Sequence, residues 1–500
     1  MTRPVDRSPG GHSYGSIEEE NNTVDDEYAS SEEDCFFVST PNNNNKHLST
    51  VGAVSNLCSA TLGAGVLALP YALKQAGLVW GAVLLLISAI STLYSLQLLV
   101  TACHVLHEYT YEGIVQTCLG KRARTITEIS ILLFCGGCAV AYVITVGDIL
   151  GALHLPRQVC MILVWTTTMF PLSLLKTMTS LQAASGVGIF SIGLLVVVAI
   201  IHLLHDSKEQ QQQQMLPSFE SLLWPANGMT SVLMACPLVL FAFSCQVNVC
   251  AIYKELNDKP HMTRVLWVAV TVCAILYTAI SLAAYLDFTT SVQPNVLQNY
   301  CPSSSHPLIQ MAFGGMTVAV VMAFPLNIFP TRVTLEGLYE KKKKKHHHNE
   351  AEVELALSVG TNEVVEPLLL LSLPQSYYNE EDQVPFNWSS HFLITLGICG
   401  TVLGLALVAP NISVVFGLLG GTTSSILGFI LPGLVGMKVD AHPGRAQLLV
   451  VIGVVIGILT TAVTVYSTFS PPVLQLDGVI SPQLDGVVNA CNVSVATLRK

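Results

Sequence analysis

Long apolar runs recur along this chain, and they constrain its fold more than any other feature. Each run holds about 20 or more residues, which is enough for a helix to cross a hydrocarbon layer of about 30 Å. Only 11% of the residues are charged, against about 25% in soluble proteins, so there is too little polar surface for a water-facing fold. The runs are continuous rather than alternating, which argues against a β-barrel.

The sequence therefore predicts an all-α polytopic membrane protein with about eleven transmembrane helices. The predicted spans, numbered one to eleven, are residues 52–76, 79–104, 124–151, 158–176, 182–204, 229–252, 264–286, 308–335, 391–410, 412–436 and 446–468.

The basic residues predict the orientation, because cytosolic loops carry an excess of Lys and Arg. With a cytosolic N-terminus, the predicted inner segments hold most of the 23 basic residues, and the C-terminus is then extracytosolic. We expect a disordered acidic cytosolic tail over 1–50, a transmembrane domain over 51–470 and an extracytosolic tail over 471–500. The transmembrane domain includes a low-complexity cytosolic loop at about 336–390.

Two motifs in the predicted loop bear on partners. Lys341 to Lys345 lie close to a membrane end and could attract anionic lipid, at about 1 kcal/mol per basic residue, although a solvated segment has the same composition. Glu366 to Leu371 reads EPLLLL and fits an acidic dileucine sorting pattern. The net charge of −10 argues against nucleic acid, and we expect no cofactor and no metal site.

Two of the predicted spans are interrupted. Span one carries Gly-Ala-Gly at 63–65 and then Pro70, which together weaken helical hydrogen bonding. Span six carries Pro237 and then a polar cluster around Ser244. Interrupted helices at matching positions of two halves indicate a transporter with its site near the midplane, where free N–H groups meet a carboxylate and free carbonyls meet a cation. Alternatively, the glycines only allow close helix packing.

The residues around these interruptions resemble the amino acid/auxin permease family. The resemblance rests on GAGVLALPYALKQAG in span one, on FAFSCQVNVCAIYKEL (Phe241 to Leu256) in span six, and on IFPTR (Ile328 to Arg332), which is similar to the family's FP-x-R segment. It covers about residues 50–470. It is closest in character to the amino acid permeases of kinetoplastid parasites, and it extends to the sodium-coupled neutral amino acid transporters.

The resemblance implies an eleven-helix fold with a five-plus-five inverted repeat, broken helices one and six, and alternating access. It also implies that the unwound parts of those helices hold the substrate, with an aromatic from span three beside them. The implied substrate-binding residues are Thr61, Gly63, Ala64, Gly65, Val66, Tyr142, Phe241, Ala242, Phe243 and Ser244.

The chain departs from the sodium-coupled members at the residues implied to hold the ion. Those members have an Asn before the Gly-x-Gly and hydroxyl side chains in span eight, whereas the matching residues here are Ser59, Val321 and Ala323. Fewer oxygen ligands favour a proton gradient or facilitated exchange over sodium coupling. Ser59 and Asn327 remain candidates for an ion. Asp148 is a candidate partner for a cationic substrate side chain, or alternatively a carboxylate solvated at the interface. A cationic side chain could instead be held by carbonyls and by cation–π attraction to Tyr142 and Phe243.

The sequence thus predicts a secondary active transporter of L-amino acids, neutral or cationic such as arginine or lysine, and proton-coupled. No P-loop, HExxH, GxSxG or dinucleotide-binding motif indicates an enzyme. The alternative is an amino acid-sensing receptor or scaffold built on a transporter fold. The plasma membrane is the expected location, with an acidic vesicle, vacuole or lysosome as the alternative that the dileucine-like motif leaves open.

Overall fold

The computed structural model describes residues 48–151, 156–174, 182–206, 219–225, 228–300, 307–359, 388–439 and 443–469. All of them belong to one compact unit, Cys35–Lys500. Over these ranges the chain is helical, and the one strand-like pairing is an isolated parallel bridge between Leu48 and Leu256. The predicted N-terminal tail before residue 48, the C-terminal tail, and the EPLLLL motif lie outside the described residues.

The helices follow the apolar runs, because a backbone in lipid must satisfy its hydrogen bonds within its own segment. The α-helices are α1 (Thr50–Thr61), α2 (Leu69–Leu106), α3 (Tyr111–Leu119), α4 (Lys121–Gly151), α5 (Arg157–Val164), α6 (Phe170–Ser173), α7 (Gln182–Asp206), α8 (Phe219–Leu223), α9 (Met229–Ala242), α10 (Gln246–Glu255), α11 (Met262–Phe288), α12 (Pro307–Val359), α13 (Trp388–Val408), α14 (Ile412–Leu419), α15 (Leu431–Val439) and α16 (Pro443–Phe469). The shorter helical turns are the 3-10 segment Ala64–Ala68 and the π-helical segments Trp165–Met169, Gly420–Ser424 and Ile426–Ile430.

The predicted spans are helical over the described residues, although spans one and six are interrupted and the helix of span eight continues to Val359, well beyond its predicted end at residue 335. Among the described residues, nine helical segments are long and apolar enough to cross a membrane, fewer than the eleven predicted spans. The first of these, Ala64–Leu106, includes the second half of span one together with span two. The run Arg157–Ser173, which corresponds to span four, is shorter than the others and is divided by a π-helical turn.

Gly77 makes the turn between spans one and two inside α2. Its φ of 74° and ψ of 166° lie outside the helical region, and only glycine adopts such a conformation readily. A Cβ at this position would also lie 2.7 Å from the carbonyl oxygen of Leu223, the last residue of α8. The turn therefore requires glycine both for its backbone angles and for the close approach of the neighbouring segment.

Span ten is continuous from α14 to α15 but contains two π-helical segments, whose wider turns leave carbonyls without their usual partners. Two side chains from other elements donate to such carbonyls. The Ser95 hydroxyl donates to Gly428 O at 2.5 Å, and the Tyr111 hydroxyl donates to Leu427 O at 2.8 Å. Burial raises the pKa of the Tyr111 phenol well above its ordinary value, so the hydroxyl stays protonated as a donor.

The C-terminal end of span eight contains the FP-x-R segment, and its arginine joins three spans. Arg332 is almost fully buried, and its Nη1 donates to Ser173 O at 3.2 Å and to the Thr395 hydroxyl at 3.1 Å. Ser173 is the last residue of α6 and Thr395 belongs to α13. The guanidinium therefore satisfies a carbonyl at the end of span four and ties spans four, eight and nine together.

The segment predicted as a cytosolic loop from about residue 336 begins as a helix, because α12 continues to Val359. Lys341 to Lys345 thus belong to a helix that extends span eight. The physical reason is local: Lys, Glu, Ala and Leu are good helix formers, and no proline or glycine occurs between Gly337 and Gly360.

Candidate functional site

Span one is broken where the Gly-Ala-Gly sequence predicted it. Helix α1 ends at Thr61, Leu62 leaves the helical region with ψ of 71°, and Gly63 is extended at φ −102° and ψ −160°. The chain resumes as the 3-10 segment Ala64–Ala68 and then as α2. Pro70 lies in the first turn of α2, where its missing N–H has no cost, so this proline starts the second half-helix rather than causing the break.

Span six is broken at its polar cluster and not at its proline. Pro237 lies inside α9, which continues to Ala242. Phe243, Ser244 and Cys245 then separate α9 from α10, and the Ser244 hydroxyl folds back to donate to Leu240 O at 2.9 Å. Span six therefore consists of two half-helices, as predicted, with the gap one and a half turns beyond the proline.

The two breaks lie against each other through Gly65. A Cβ on Gly65 would be 3.0 Å from the Ala242 Cα and 3.3 Å from both the Ala242 Cβ and a ring carbon of Phe241. The backbone of the 3-10 segment thus contacts the last turn of α9 directly. Small residues permit such an approach between membrane helices, so the packing interpretation of this glycine is correct for Gly65. The packing role of Gly65 does not exclude a substrate site at the break, because Gly63 has a different environment.

A tyrosine from span seven is hydrogen-bonded to the ends of α1 and α9, which are the first half-helices of spans one and six. The Tyr277 hydroxyl lies 2.6 Å from Thr61 O and 2.8 Å from Ala242 O, and the side chain is fully buried. These carbonyls belong to the last residues of α1 and α9, where the helix leaves them without a partner. The sequence analysis did not predict a role for Tyr277. A lone tyrosine in an apolar span was the available signal, because its hydroxyl needs a partner when buried.

The environment of Gly63 brings spans three and eight to the break. A Cβ on Gly63 would meet one neighbour, the Tyr142 hydroxyl at 3.6 Å, and the Asn327 side chain lies close enough to that hydroxyl to act on it electrostatically. The Asn327 amide nitrogen donates to Ala323 O at 3.1 Å. Gly63, Tyr142 and Ser244 keep part of their surface accessible, whereas Asn327 is buried. Three residues from separate predictions therefore lie together at the break.

Aromatic rings enclose the same region. Phe241 stacks on Phe416 of α14 with ring centroids 4.3 Å apart, and it lies 5.7 Å from the ring of Phe134 of α4. Phe243 packs edge to face on Tyr277 at 5.1 Å. Such pairs stabilise defined ring positions. Phe416 and Phe134 are further site neighbours that the sequence analysis missed, since nothing along the chain connects them to span six.

Asp148 does not join this group. It is on α4, six residues beyond Tyr142, or about 9 Å along the helix. One carboxylate oxygen accepts from Arg157 Nε at 2.9 Å, and the other accepts from the Asn295 side-chain amide at 3.2 Å. The carboxylate is buried rather than solvated at the interface. Its charge is matched by a guanidinium of the protein itself.

The remaining predicted residues divide into two groups. Ala64 and Val66 are buried in the 3-10 segment and pack into the core. Ser59 is half-buried in the last turn of α1. The predicted residues that the structure brings together are thus the break residues, Tyr142 and Asn327.

Two discontinuous membrane helices that face each other, with polar backbone at their gap, define the class of secondary transporters. The sequence profile of the family described as "Transmembrane amino acid transporter protein" matches residues 46–470. This chain belongs to that family, as the resemblance predicted, and it is a multi-pass membrane transporter rather than an enzyme.

Several characterised relatives share most of their length with this chain. "Vacuolar amino acid transporter 6" of Saccharomyces cerevisiae is 28% identical over 77% of this chain and 89% of the relative. "Amino acid transporter AVT6E" of Arabidopsis thaliana is 26% identical over 83% of each. "Sodium-coupled neutral amino acid transporter 7" of Danio rerio is 26% identical over 80% of this chain and 81% of the relative. The likeness to kinetoplastid permeases stays a prediction.

Proposed function

We propose that this protein is a secondary active transporter that moves neutral L-amino acids by alternating access, with a proton as the coupling ion. The observation that carries the proposal is the pair of facing breaks at residues 62–63 and 243–245, where both interrupted helices present backbone groups to the same buried place.

The chemistry of the breaks suits the two charged groups of an amino acid. The ends of α1 and α9 carry partial negative charge, and the starts of the following half-helices carry partial positive charge. Gly63 and Cys245 begin those following segments without a side chain that caps them. The ammonium of a substrate would lie towards the carbonyl ends and its carboxylate towards the amide ends. Gly63 leaves room for this contact beside the Tyr142 hydroxyl.

The charge inventory favours a neutral side chain on the substrate. None of the residues implied to bind substrate is charged, and the nearest predicted partner for a cationic group, Asp148, is already paired with Arg157. Phe241, Phe243 and Phe416 surround the breaks with apolar surface instead. A cationic substrate would need the buried Asp148 to exchange Arg157 for the substrate, at the cost of a half-buried arginine without its charge partner.

The proposal of a proton as the coupling ion rests on side-chain oxygens that a sodium site would need and that this chain lacks. Val321 and Ala323 offer no side-chain oxygen in span eight, and Ser59 stands where sodium-coupled members have an amide. We keep the plasma membrane as the first expected location. The names of two yeast relatives, "Vacuolar amino acid transporter 6" and "Vacuolar amino acid transporter 7", support an acidic internal compartment as the second. A fluorescent fusion imaged with vacuolar and plasma-membrane markers decides between them.

The test is uptake of a panel of radiolabelled amino acids into proteoliposomes that contain the purified protein, under imposed proton or sodium gradients. We expect uptake of neutral amino acids that follows an inward proton gradient and does not respond to sodium. Gly63→Val should raise the KM or abolish uptake, because its methyl groups fill the space beside Tyr142. Gly397→Val on the exposed face of α13 is the matched control, because no atom lies within 4 Å of a Cβ there.

Different failures have different meanings. Uptake of lysine and arginine in preference to neutral amino acids would overturn the substrate class and return Asp148 to the site. Absence of uptake of every amino acid, from protein whose melting curve shows that it is folded, would contradict transport and favour the receptor alternative.

A further inference from the structure

The terminal carbonyl oxygens of α1 and α9 lie close together and need a hydrogen-bond donor or a cation between them. Thr61 O and Ala242 O both contact the Tyr277 hydroxyl oxygen, so they lie no more than about 5.4 Å apart. Each is the terminal carbonyl of a helix and carries part of that helix's negative end, of about half an elementary charge. Two such ends repel each other at this separation unless a hydrogen-bond donor or a cation lies between them.

The Tyr277 hydroxyl is the group that the structure places there. It offers one hydrogen to two acceptors, which it must share or alternate between. Thr61 O also accepts from the Gly63 N–H at 2.9 Å, and the Thr61 hydroxyl turns back to Leu57 O at 2.7 Å. Neither of these groups reaches Ala242 O in the described structure, and Tyr277 alone connects the two helix ends.

The position of this hydroxyl is fixed by its surroundings. The Tyr277 side chain is fully buried, and the ring of Phe243 holds it edge to face at 5.1 Å. Phe243 is the residue that follows the end of α9, so the ring that fixes the tyrosine belongs to the break itself. Any movement of the breaks relative to span seven would disturb the hydrogen bonds and the ring contact together.

We propose that the Tyr277 hydroxyl occupies the place of a metal cation between the ends of α1 and α9, and thereby makes transport independent of a bound sodium ion at that point. This inference rests on the proposed function, because it names the group that replaces one coupling ion. It predicts that Thr61 O and Ala242 O form a latent cation site, which the Tyr277 hydroxyl fills in the wild type. Removal of the hydroxyl, with the ring kept, should allow a cation to bind there.

The geometry of the two carbonyls suits such an ion. Hard cations such as Ca²⁺ take oxygen ligands at about 2.3–2.6 Å. Two oxygens no more than about 5.4 Å apart could therefore both contact one ion that lies between them, once the phenylalanine ring tilts away from the place that the hydroxyl oxygen leaves. Water could also enter that space, and the experiment separates the two occupants because only the ion makes the variant sensitive to sodium.

The experiment compares the wild type with Tyr277→Phe and Tyr285→Phe in proteoliposomes, with sodium or choline as the external cation, constant ionic strength and the same imposed proton gradient. Tyr285 is the matched control: it lies two turns further along α11, and its hydroxyl makes only a long contact of 3.4 Å with Leu222 O. The second readout is the melting temperature of each purified protein in sodium and in choline.

We expect the wild type and Tyr285→Phe to transport equally in both cations. Uptake by Tyr277→Phe should fall about tenfold or more in choline, because Ala242 O loses its donor and Thr61 O keeps only the Gly63 N–H, and sodium should restore it several-fold. Sodium should also raise the melting temperature of this variant alone. A Tyr277→Phe protein that unfolds in choline and stays folded in sodium supports the proposal equally.

Three results would overturn the inference. They are a wild type that needs sodium, a Tyr277→Phe protein whose uptake and melting temperature ignore sodium, and a Tyr277→Phe protein that unfolds in both cations. The failure of the proposed function would look different. In that case none of the three proteins takes up any amino acid, while the effect of sodium on the melting temperature of Tyr277→Phe still reports on the latent cation site.

Discussion

The contact between the two breaks predicts that Gly65 and Gly63, two residues apart, respond in opposite ways to the same substitution. In Gly65→Ala the new methyl group would lie 3.0 Å from the Ala242 Cα and 3.3 Å from a Phe241 ring carbon. Carbon atoms pack best at about 3.5–4.0 Å, so the two half-helices must separate by about half an ångström. The Ala242 Cα belongs to the backbone, which cannot rotate away.

The expected cost of Gly65→Ala is about 1–3 kcal/mol of overpacking, reduced by about 0.4–1 kcal/mol because alanine restricts the unfolded chain. In Gly63→Ala the nearest atom is the Tyr142 hydroxyl at 3.6 Å, which is an ordinary contact. That variant has only the favourable unfolded-state effect, and its stability should equal or exceed that of the wild type. Neither glycine has a positive φ that would penalise alanine in itself.

The assay is thermal unfolding of each purified variant in detergent, followed by a dye that reacts with newly exposed cysteines, together with uptake in proteoliposomes. Eleven described cysteines are free and most are buried, so the dye reports on unfolding. Gly65→Ala should melt below the wild type and transport more slowly, with the loss in Vmax. Gly63→Ala should keep its melting temperature and change the KM. Equal melting temperatures for the two variants would refute the argument that the breaks pack through Gly65.

Further expectations concern Asp148, Gly77 and Arg332, which lie away from the two breaks. Asp148→Asn should lower the free energy of unfolding by about 1–3 kcal/mol, because Arg157, whose side chain is one-third exposed, loses its charge partner. Adding Arg157→Gln to this variant should recover part of the loss, which a double-mutant cycle of melting temperatures would measure. Gly77→Ala should reduce the yield of folded protein far more than Gly120→Ala, since both glycines have positive φ but only the first is crowded; equal yields would contradict this. Arg332→Lys should lower the melting temperature although the charge is kept, because the shorter lysine side chain does not place its nitrogen where Nη1 contacts both Ser173 O and the Thr395 hydroxyl. An unchanged melting temperature would contradict that assignment.

The break in span six shows how far local patterns in the sequence can locate an interruption. Pro237 removes one donor within α9, yet the helix continues for five residues beyond it. Neighbouring groups in a packed bundle can satisfy what a proline frees, so the gap falls instead at Phe243 to Cys245. The sequence marked the right span and the right polar cluster, but it gave no reason to prefer the cluster over the proline.

The same limit applies to Asp148. Along the chain it is a carboxylate in an apolar span, which made it a candidate for a cationic substrate. In three dimensions Asn295, 147 positions away, and Arg157 on α5 take both of its oxygens. No sequence pattern in span three predicts either partner.

The sequence by itself determined the membrane spans, the break at Gly63 and the family, because each depends on residues that are neighbours along the chain. In lipid, a run of apolar residues has no alternative to a helix that satisfies its own hydrogen bonds, and glycines weaken that helix where they stand. Only the tertiary structure decided that the two breaks touch at Gly65 and that Tyr277 joins Thr61 to Ala242. Those contacts link residues up to 216 positions apart, and they depend on how the helices pack rather than on any local preference.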